Sequence, residues 1–167
     1  MKADLTIAER AFLAGFLDGD GCISITKQNR KDTPTPEYSL SVIFTQAQRE
    51  MLERWRQRTG YGRVYHCRST GQIKATKPMY HWRITAKQAE RILCLMIPYL
   101  DIKHAQAETA LEFRKTFGTQ GGDGYRYLTP RATLDVREQC LRRLQDLKRG
   151  EAEEITWPER PEQLSLM

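Results

Sequence analysis

Two carboxylates, Asp18 and Asp20, alternate with glycines at the end of the stretch Leu13-Ala14-Gly15-Phe16-Leu17-Asp18-Gly19-Asp20-Gly21. The residues before them suit a helix with almost no side chain along one stripe, because Gly15 and Gly19 stand four apart and share a face. Such a stripe lets two helix backbones approach closely. Asp20 falls where that helix ends, beside the negative pole of the helix dipole, so a purely structural design would avoid a carboxylate there. A bound cation removes the penalty. An Asp/Gly turn accounts for the backbone at this point but not for the small-residue helix leading into it. A calcium loop is excluded: Asp18 and Asp20 fill the first and third ligand places, yet Cys22 and Ile23 stand where a ligand and the obligatory glycine belong.

A second set of residues suits recognition. Ser24, Thr26, Gln28, Arg30, Ser39, Ser41, Arg63, Tyr65, His81 and Arg83 recur at alternate positions of apolar-polar runs, and all are donors or acceptors fitted to base edges and phosphates. Glu37 is the one carboxylate among them, able to accept from a cytosine amine. Lys27 is expected to hold phosphates without reading sequence. A plain solvated sheet face would alternate in the same way; the scarcity of carboxylates is what points to a polyanion.

The elements that must position these groups follow from periodicity. Thr6 with Glu9 forms a capping box that opens the first helix, expected to run to about Asp18. From Cys22 the period becomes two, with Ile23 and Ile25 on one face. After a turn-rich loop over residues 31–36, Tyr38, Leu40, Val42 and Phe44 give a second strand. Thr45 with Gln48 suggests another capping box, ahead of a helix carrying Met51, Leu52 and Trp55 that ends near Gly60. Arg63, Tyr65 and Cys67, then Tyr80, Trp82 and Ile84, predict two more strands around a loop near Gly71. Thr85 is the expected cap of a helix with Ala89, Ile92, Leu93 and Met96, interrupted at Pro98. Residues 102–117 are helical again, residues 118–124 form a loop, and Thr129-Pro130 starts a last helix with Leu134, Cys140, Leu141, Leu144 and Leu147.

The 167 residues suffice for one core. Residues 22–87 hold thirteen Lys/Arg against four Asp/Glu, a net +9, whereas the residues after Gly150 carry five Glu against Arg160, a net −4. Basic charge gathered in the block that should contain the strands suggests a polyanion-facing surface. No apolar run approaches membrane-spanning length and no signal segment precedes the first helix, so a soluble protein of a reducing intracellular compartment, with no membrane partner, is expected. The four cysteines, Cys22, Cys67, Cys94 and Cys140, lack metal spacing and read as reduced buried thiols.

LAGFLDGDG resembles the LAGLIDADG signature of the homing endonucleases, with the motif's last acidic residue falling on Asp20. The resemblance is specific in these nine residues, extends as a pattern over the strands and middle helices, and hardly touches the region after Phe117. It implies an α+β LAGLIDADG fold: an αββαββα core with additional C-terminal helices, and an antiparallel four-stranded sheet forming a DNA-binding saddle. Residues 1–150 would be one endonuclease domain and residues 151–167 an acidic, loose tail. One motif per chain implies a homodimer, since cutting two antiparallel strands with equivalent chemistry needs two sites related by a two-fold axis. Leu13, Ala14, Gly15, Leu17, Asp18 and Gly19 would form the seam, with the Asp20 residues near the axis. Two close carboxylates repel unless divalent metals lie between them and the phosphates, the setting for metal-assisted hydrolysis.

The resemblance further implies Mg²⁺ held by Asp20 and the Gly19 carbonyl, with Mn²⁺ as a substitute and Ca²⁺ supporting binding without cleavage. The family places a glutamine at the end of the second strand and a lysine after the third helix, which match Gln46 in Phe44-Thr45-Gln46 and Lys103 in Leu100-Asp101-Ile102-Lys103. Gln46 would orient the attacking water and Lys103 would stabilise the phosphorane charge, with Arg49 in the same electropositive pocket. On residue type alone, Gln46 reads equally as a polar residue of a capping region and Lys103 as a solvated helix-end lysine. The implied function is an intron-encoded, site-specific endonuclease that cuts a long pseudo-palindromic DNA duplex to leave 3′ overhangs. An intron RNA maturase and a non-cleaving DNA-binding regulator share the scaffold. The presence of Asp20, Gln46 and Lys103 together favours the enzyme over the regulator.

Overall fold

A computed structural model of the chain describes residues 4–29, 31, 33–67, 78–117 and 129–150. Helix α1 (Ile7–Asp20) opens as its sequence predicts: Thr6 Oγ1 accepts from the Glu9 amide at 3.3 Å, and Glu9 Oε2 accepts from the Thr6 amide at 2.7 Å. It runs two residues past the expected end and passes into strand β1 (Gly21–Gln28) with no loop between. That junction needs glycine, because a Cβ at Gly21 would lie 2.7 Å from Leu17 Cα and 2.8 Å from the Leu17 carbonyl oxygen. Strand β2 (Glu37–Gln46) returns antiparallel to β1, pairing Gly21 with Phe44 at one end and Gln28 with Glu37 at the other. Helix α2 (Arg49–Thr59) follows and ends on Gly60 in the left-handed region, φ 70°.

Strands β3 (Arg63–His66) and β4 (Tyr80–Thr85) complete an antiparallel sheet in the order β1-β2-β4-β3. Helix α3 (Ala86–Met96), a 3₁₀ turn over Ile97–Tyr99, helix α4 (His104–Lys115) and helix α5 (Arg131–Arg149) come next. The order is thus αββαββα with further helices, an α+β fold as expected. The loops expected near Gly71 and over residues 118–124, and the tail from residue 151, lie outside the described residues.

Helices cover one face of the sheet. Ile23, Ile25, Leu40, Val42, Phe44, Trp82 and Ile84 point into the core, meeting Leu13, Ala14 and Leu17 of α1, Leu52 of α2, the α3 stripe Ala89, Ile92, Leu93 and Met96, and Ala107, Ala110 and Phe113 of α4. Phe44 and Trp82 are direct cross-strand partners and stack at 4.8 Å, and Trp82 Nε1 donates to the Tyr61 carbonyl at 2.9 Å. Helix α5 guards the edge of β1. Glu138 accepts from Lys27 at 2.9 Å, and Lys148 lies 3.3 Å from Cys22 Sγ. Ten helical residues span about 15 Å and five strand residues about 17 Å, so helix and strand run antiparallel in matching length and shield an edge otherwise open to pairing.

Three sequence expectations fail here. Thr45 belongs to β2, and Gln48, the N-cap of α2, makes no side-chain capping bond, so that capping box does not form. Thr85 occupies the N-cap of α3 likewise without a side-chain bond, and the next residue, Ala86, has φ 51°. Of the cysteines only Cys140 is buried; Cys22 and Cys67 are half-buried and Cys94 is exposed.

Candidate active site and nucleic-acid interface

Asp20 is the last residue of α1 and is exposed, and no described residue bonds to its carboxylate. Asp18 is two residues earlier, about 200° round the helix, and has a different task. Its Oδ2 accepts from the Asp101 amide at 2.7 Å and its Oδ1 from the Lys103 amide at 2.8 Å, while Lys103 Nζ donates to the Asp18 carbonyl. The exchange suits both helices. The ammonium offsets the negative C-terminus of α1, and the Asp18 carboxylate lies at the positive N-terminus of α4, where Lys103 is the N-cap. The half-buried Lys103 is thereby fixed at the end of α1 that carries Asp20, with two N–H groups of its ammonium still to spend.

Strand β2 continues two residues past Phe44, the partner of Gly21, so Thr45 and Gln46 lie beside the α1–β1 junction. Gln46 Oε1 accepts from the Ala47 amide at 2.8 Å, which leaves the NH₂ group as its outward end. Tyr80, the cross-strand partner of Gln46, carries the Arg49 guanidinium 5.9 Å from its ring centroid, and Glu53 holds the same guanidinium at 3.5 Å. Asp20, Lys103 and Gln46 therefore gather at one end of the sheet. Arg49 stands next to Gln46 with part of its charge met by Glu53.

The face of the sheet away from the helices is polar, and the register arranges it in rows. Gln28 faces Glu37, Thr26 faces Ser39, and Ser24 faces Ser41. Beyond Ser41 lies Thr85; then come Ile43, Arg83 and Arg63, and last Thr45, His81 and Tyr65, the row nearest Asp20. Ser41 Oγ, His81 Nδ1 and Arg83 Nε are buried with no hydrogen-bond partner among the described residues. Each such group costs about 1–3 kcal/mol, so the face gains from a ligand rich in donors and acceptors. Tyr65 stacks on His81 at 5.6 Å, and burial holds His81 below the ordinary imidazole pKa.

Ser24, Thr26, Gln28, Glu37, Ser39, Ser41, Arg63, Tyr65, His81 and Arg83 all fall on this face. Lys27 does not: strand parity puts it with Ile23 and Ile25, where Glu138 and the Tyr38 ring take its ammonium. Lys27 thus lies on the helix side of β1, apart from the polar face. Arg30 lies outside the described residues. Thr45 and Thr85, which by residue type suit helix caps, belong to the polar face; a strand extended by one more alternation is the signal for it. The expected seam also divides. Gly15 and Gly19 are exposed, whereas Leu13, Ala14 and Leu17 are 0% exposed, packed in this chain's own core, and Asp18 is spent on the α4 junction. Of these six residues the two glycines are the exposed ones.

The donor set at Asp20 fits a divalent ion in one way. Among the described residues no three Asp, Glu, His or Cys side chains converge into a cage. A carboxylate and a last-turn carbonyl, both hard oxygen donors, suit an ion that keeps several waters and takes its remaining ligands from phosphates, as Mg²⁺ does.

A family model described as LAGLIDADG endonuclease matches residues 13–116, a span that contains Asp20, Gln46 and Lys103. A search of curated proteins gives no match. Among solved structures, the homing endonuclease I-CvuI, in complex with the I-CreI target in the presence of magnesium and with the DNA not cleaved, is 25% identical over 83% of this chain and 95% of that one, with TM-score 0.58. The archaeal intron-encoded homing endonuclease I-Vdi141I, complexed with DNA, is 16% identical over 89% of this chain and 87% of that one, TM-score 0.65. The meganuclease I-SmaMI, bound to uncleavable DNA, is 16% identical over 90% of this chain but 47% of that one, TM-score 0.57. The last two likenesses speak for the fold. With more than half of its length matched and the helix–strand order in keeping, the chain belongs to the LAGLIDADG endonuclease family.

Proposed function

We propose that the chain is a homodimeric, site-specific DNA endonuclease that hydrolyses phosphodiester bonds with the aid of a divalent metal. The observation that carries this reading is the exposed Asp20, unpartnered among the described residues, at the end of the polar sheet face, with Lys103 tied to the same end of α1 and Gln46 at the end of the neighbouring strand. The sheet would lie in the major groove, a route open to β-ribbons. The exposed Gly15/Gly19 stripe is open to a second copy.

Asp20 and the Gly19 carbonyl would hold the metal, which supplies charge to polarise the scissile phosphate and to lower the pKa of a bound water. Lys103, anchored on Asp18, places its remaining N–H groups where negative charge grows on the phosphate oxygens. Gln46 holds the incoming water through its NH₂ group, its carbonyl being occupied by Ala47. Water attacks phosphorus in line as the bond to the leaving oxygen breaks. With two Asp20 residues near a two-fold axis, both strands are cut across the minor groove, leaving 3′ overhangs.

The test is incubation with a randomised duplex library and Mg²⁺, followed by sequencing of the ends. Cleaved molecules sharing one pseudo-palindromic sequence and a fixed stagger are expected. Calcium in place of magnesium should give binding without ends, since it is a larger ion of looser geometry. Specific binding with no cut ends in Mg²⁺ or Mn²⁺ would overturn the enzyme reading in favour of a regulator.

A further inference from the structure

We propose that Arg83 reads a guanine in each half-site while Arg63, opposite it, holds a neighbouring phosphate; this rests on the DNA-cleaving reading above. Arg63 and Arg83 are direct cross-strand partners on the polar face. Like charges so placed destabilise a sheet, and no carboxylate of the described residues pairs with either guanidinium. The hairpin sequence offers none: residues 63–83 contain Arg63, Arg68, Lys74, Lys77 and Arg83 and not one Asp or Glu. On its other side Arg83 meets Ile43, whose side chain accepts no hydrogen bond. Along β4, burial keeps the nearest ring, His81, toward its neutral form. Two facing cations without an acceptor among the described residues suit a polyanion laid on this face.

Strand position separates the two roles. Neighbouring strands are about 4.8 Å apart, so the outer strands β1 and β3 are about 14 Å apart, slightly more than the major groove's width of about 12 Å. A sheet lying in that groove sets its edge strands over the phosphate walls and its inner strands over the base edges. Arg63 is on edge strand β3 and is exposed; Arg83 is on inner strand β4 and half-buried, with Nε shielded from water and unpartnered among the described residues. A planar fork held by its neighbours and aimed at the groove floor matches guanine O6 and N7. An exposed arginine at the wall matches phosphate, which carries no sequence information.

The experiment is selection of bound DNA from a library with randomised half-sites, with calcium as the sole divalent ion, for the unaltered protein, Arg83→Gln and Arg63→Gln. The unaltered protein should enrich guanine at one fixed position per half-site. Arg83→Gln should lose that guanine alone, with affinity for the original site down about ten- to a hundredfold. Arg63→Gln should keep the guanine, bind all sites more weakly and lower the salt slope by about one. If Arg83→Gln does not fold, as judged by circular dichroism, Arg83→Met replaces it: the aliphatic stem stays, the guanidinium and the guanine preference go. Guanine retained by either Arg83 variant, or affinity lost evenly with no change at any position, would overturn the assignment while leaving DNA recognition intact. No enrichment by the unaltered protein would remove both readings.

Discussion

Asp18 and Asp20 are the same residue two positions apart, and what separates them is which side of α1 each faces. Asp18 spends both oxygens on the Asp101 and Lys103 amides, whereas Asp20 has no bond within the described chain. Asp20→Asn should therefore leave the melting temperature and DNA affinity close to those of the unaltered protein. Cleavage should fall by about a hundredfold or more in single-turnover assays, because several kcal/mol of charge stabilisation go with the carboxylate. Asp18→Ala should behave differently. It leaves two amides without their acceptor, at a cost of about 1–3 kcal/mol, and loosens the backbone that carries Lys103 although the ammonium keeps its bond to the residue-18 carbonyl, so stability and cleavage rate should fall together while DNA affinity holds. Asp18→Asn, keeping one acceptor oxygen, should recover part of both. Full cleavage by Asp18→Ala would show that Lys103 does not need this anchor. The sequence points to Asp20 through its motif but is silent on Asp18, whose partners lie 83 and 85 residues away. A tie at that distance leaves no periodicity to read.

Elements whose signals are local were legible and those fixed by distant packing were not. The alternation of Ile23 and Ile25, and of Leu40, Val42 and Phe44, finds the strands and their buried face because the period of two is a property of the chain itself. The same parity would have excluded Lys27 from the polar face. The Thr45 cap fails because sheet pairing with β4 extends β2 beyond the point where turn chemistry alone would end it. No pattern places α5 along β1, since its ties to Lys27 and Cys22 span 111 and 126 residues.

The α1 capping box carries a pH prediction of its own. Glu9 is held by the Arg58 guanidinium first and by the Thr6 amide, which together bring its pKa down to about 2. A carboxyl depressed in the folded state contributes stability that is present above its unfolded pKa, near 4.5, and is lost as the pH falls through about 2. Urea melts of the unaltered protein should thus lose stability across that window, and Glu9→Gln should be less stable at pH 7 and flatter below pH 4.5. Parallel pH profiles for the two proteins would count against the Glu9–Arg58 tie.

At the scale of the whole molecule, the stripe of α1 turned away from the core is Ala8, Ala11, Phe12, Gly15 and Gly19, all exposed, with Phe12 stacked on Trp55 at 5.2 Å. Within one chain the glycines have no evident reason to be glycine: both are helical, and a Cβ at either would meet nothing within 4 Å. Replacing a helical glycine by a residue of good propensity stabilises a helix by about 0.5–1 kcal/mol. Gly15→Leu should therefore fold and, compared at a concentration low enough that the unaltered chain is also monomeric, melt at or above its temperature. If the stripe is the seam between two copies, the same side chain should hold the two α1 helices apart. Sedimentation velocity should then show a monomer where the unaltered protein sediments as a dimer, and double-strand cleavage should vanish because each monomer carries one Asp20. Gain of protomer stability with loss of pairing is a combination that damage to the fold cannot produce. A Gly15→Leu protein that still sediments as a dimer and cuts both strands would place the two-fold axis elsewhere, and an unaltered protein that stays monomeric with and without DNA would remove the paired-site mechanism altogether.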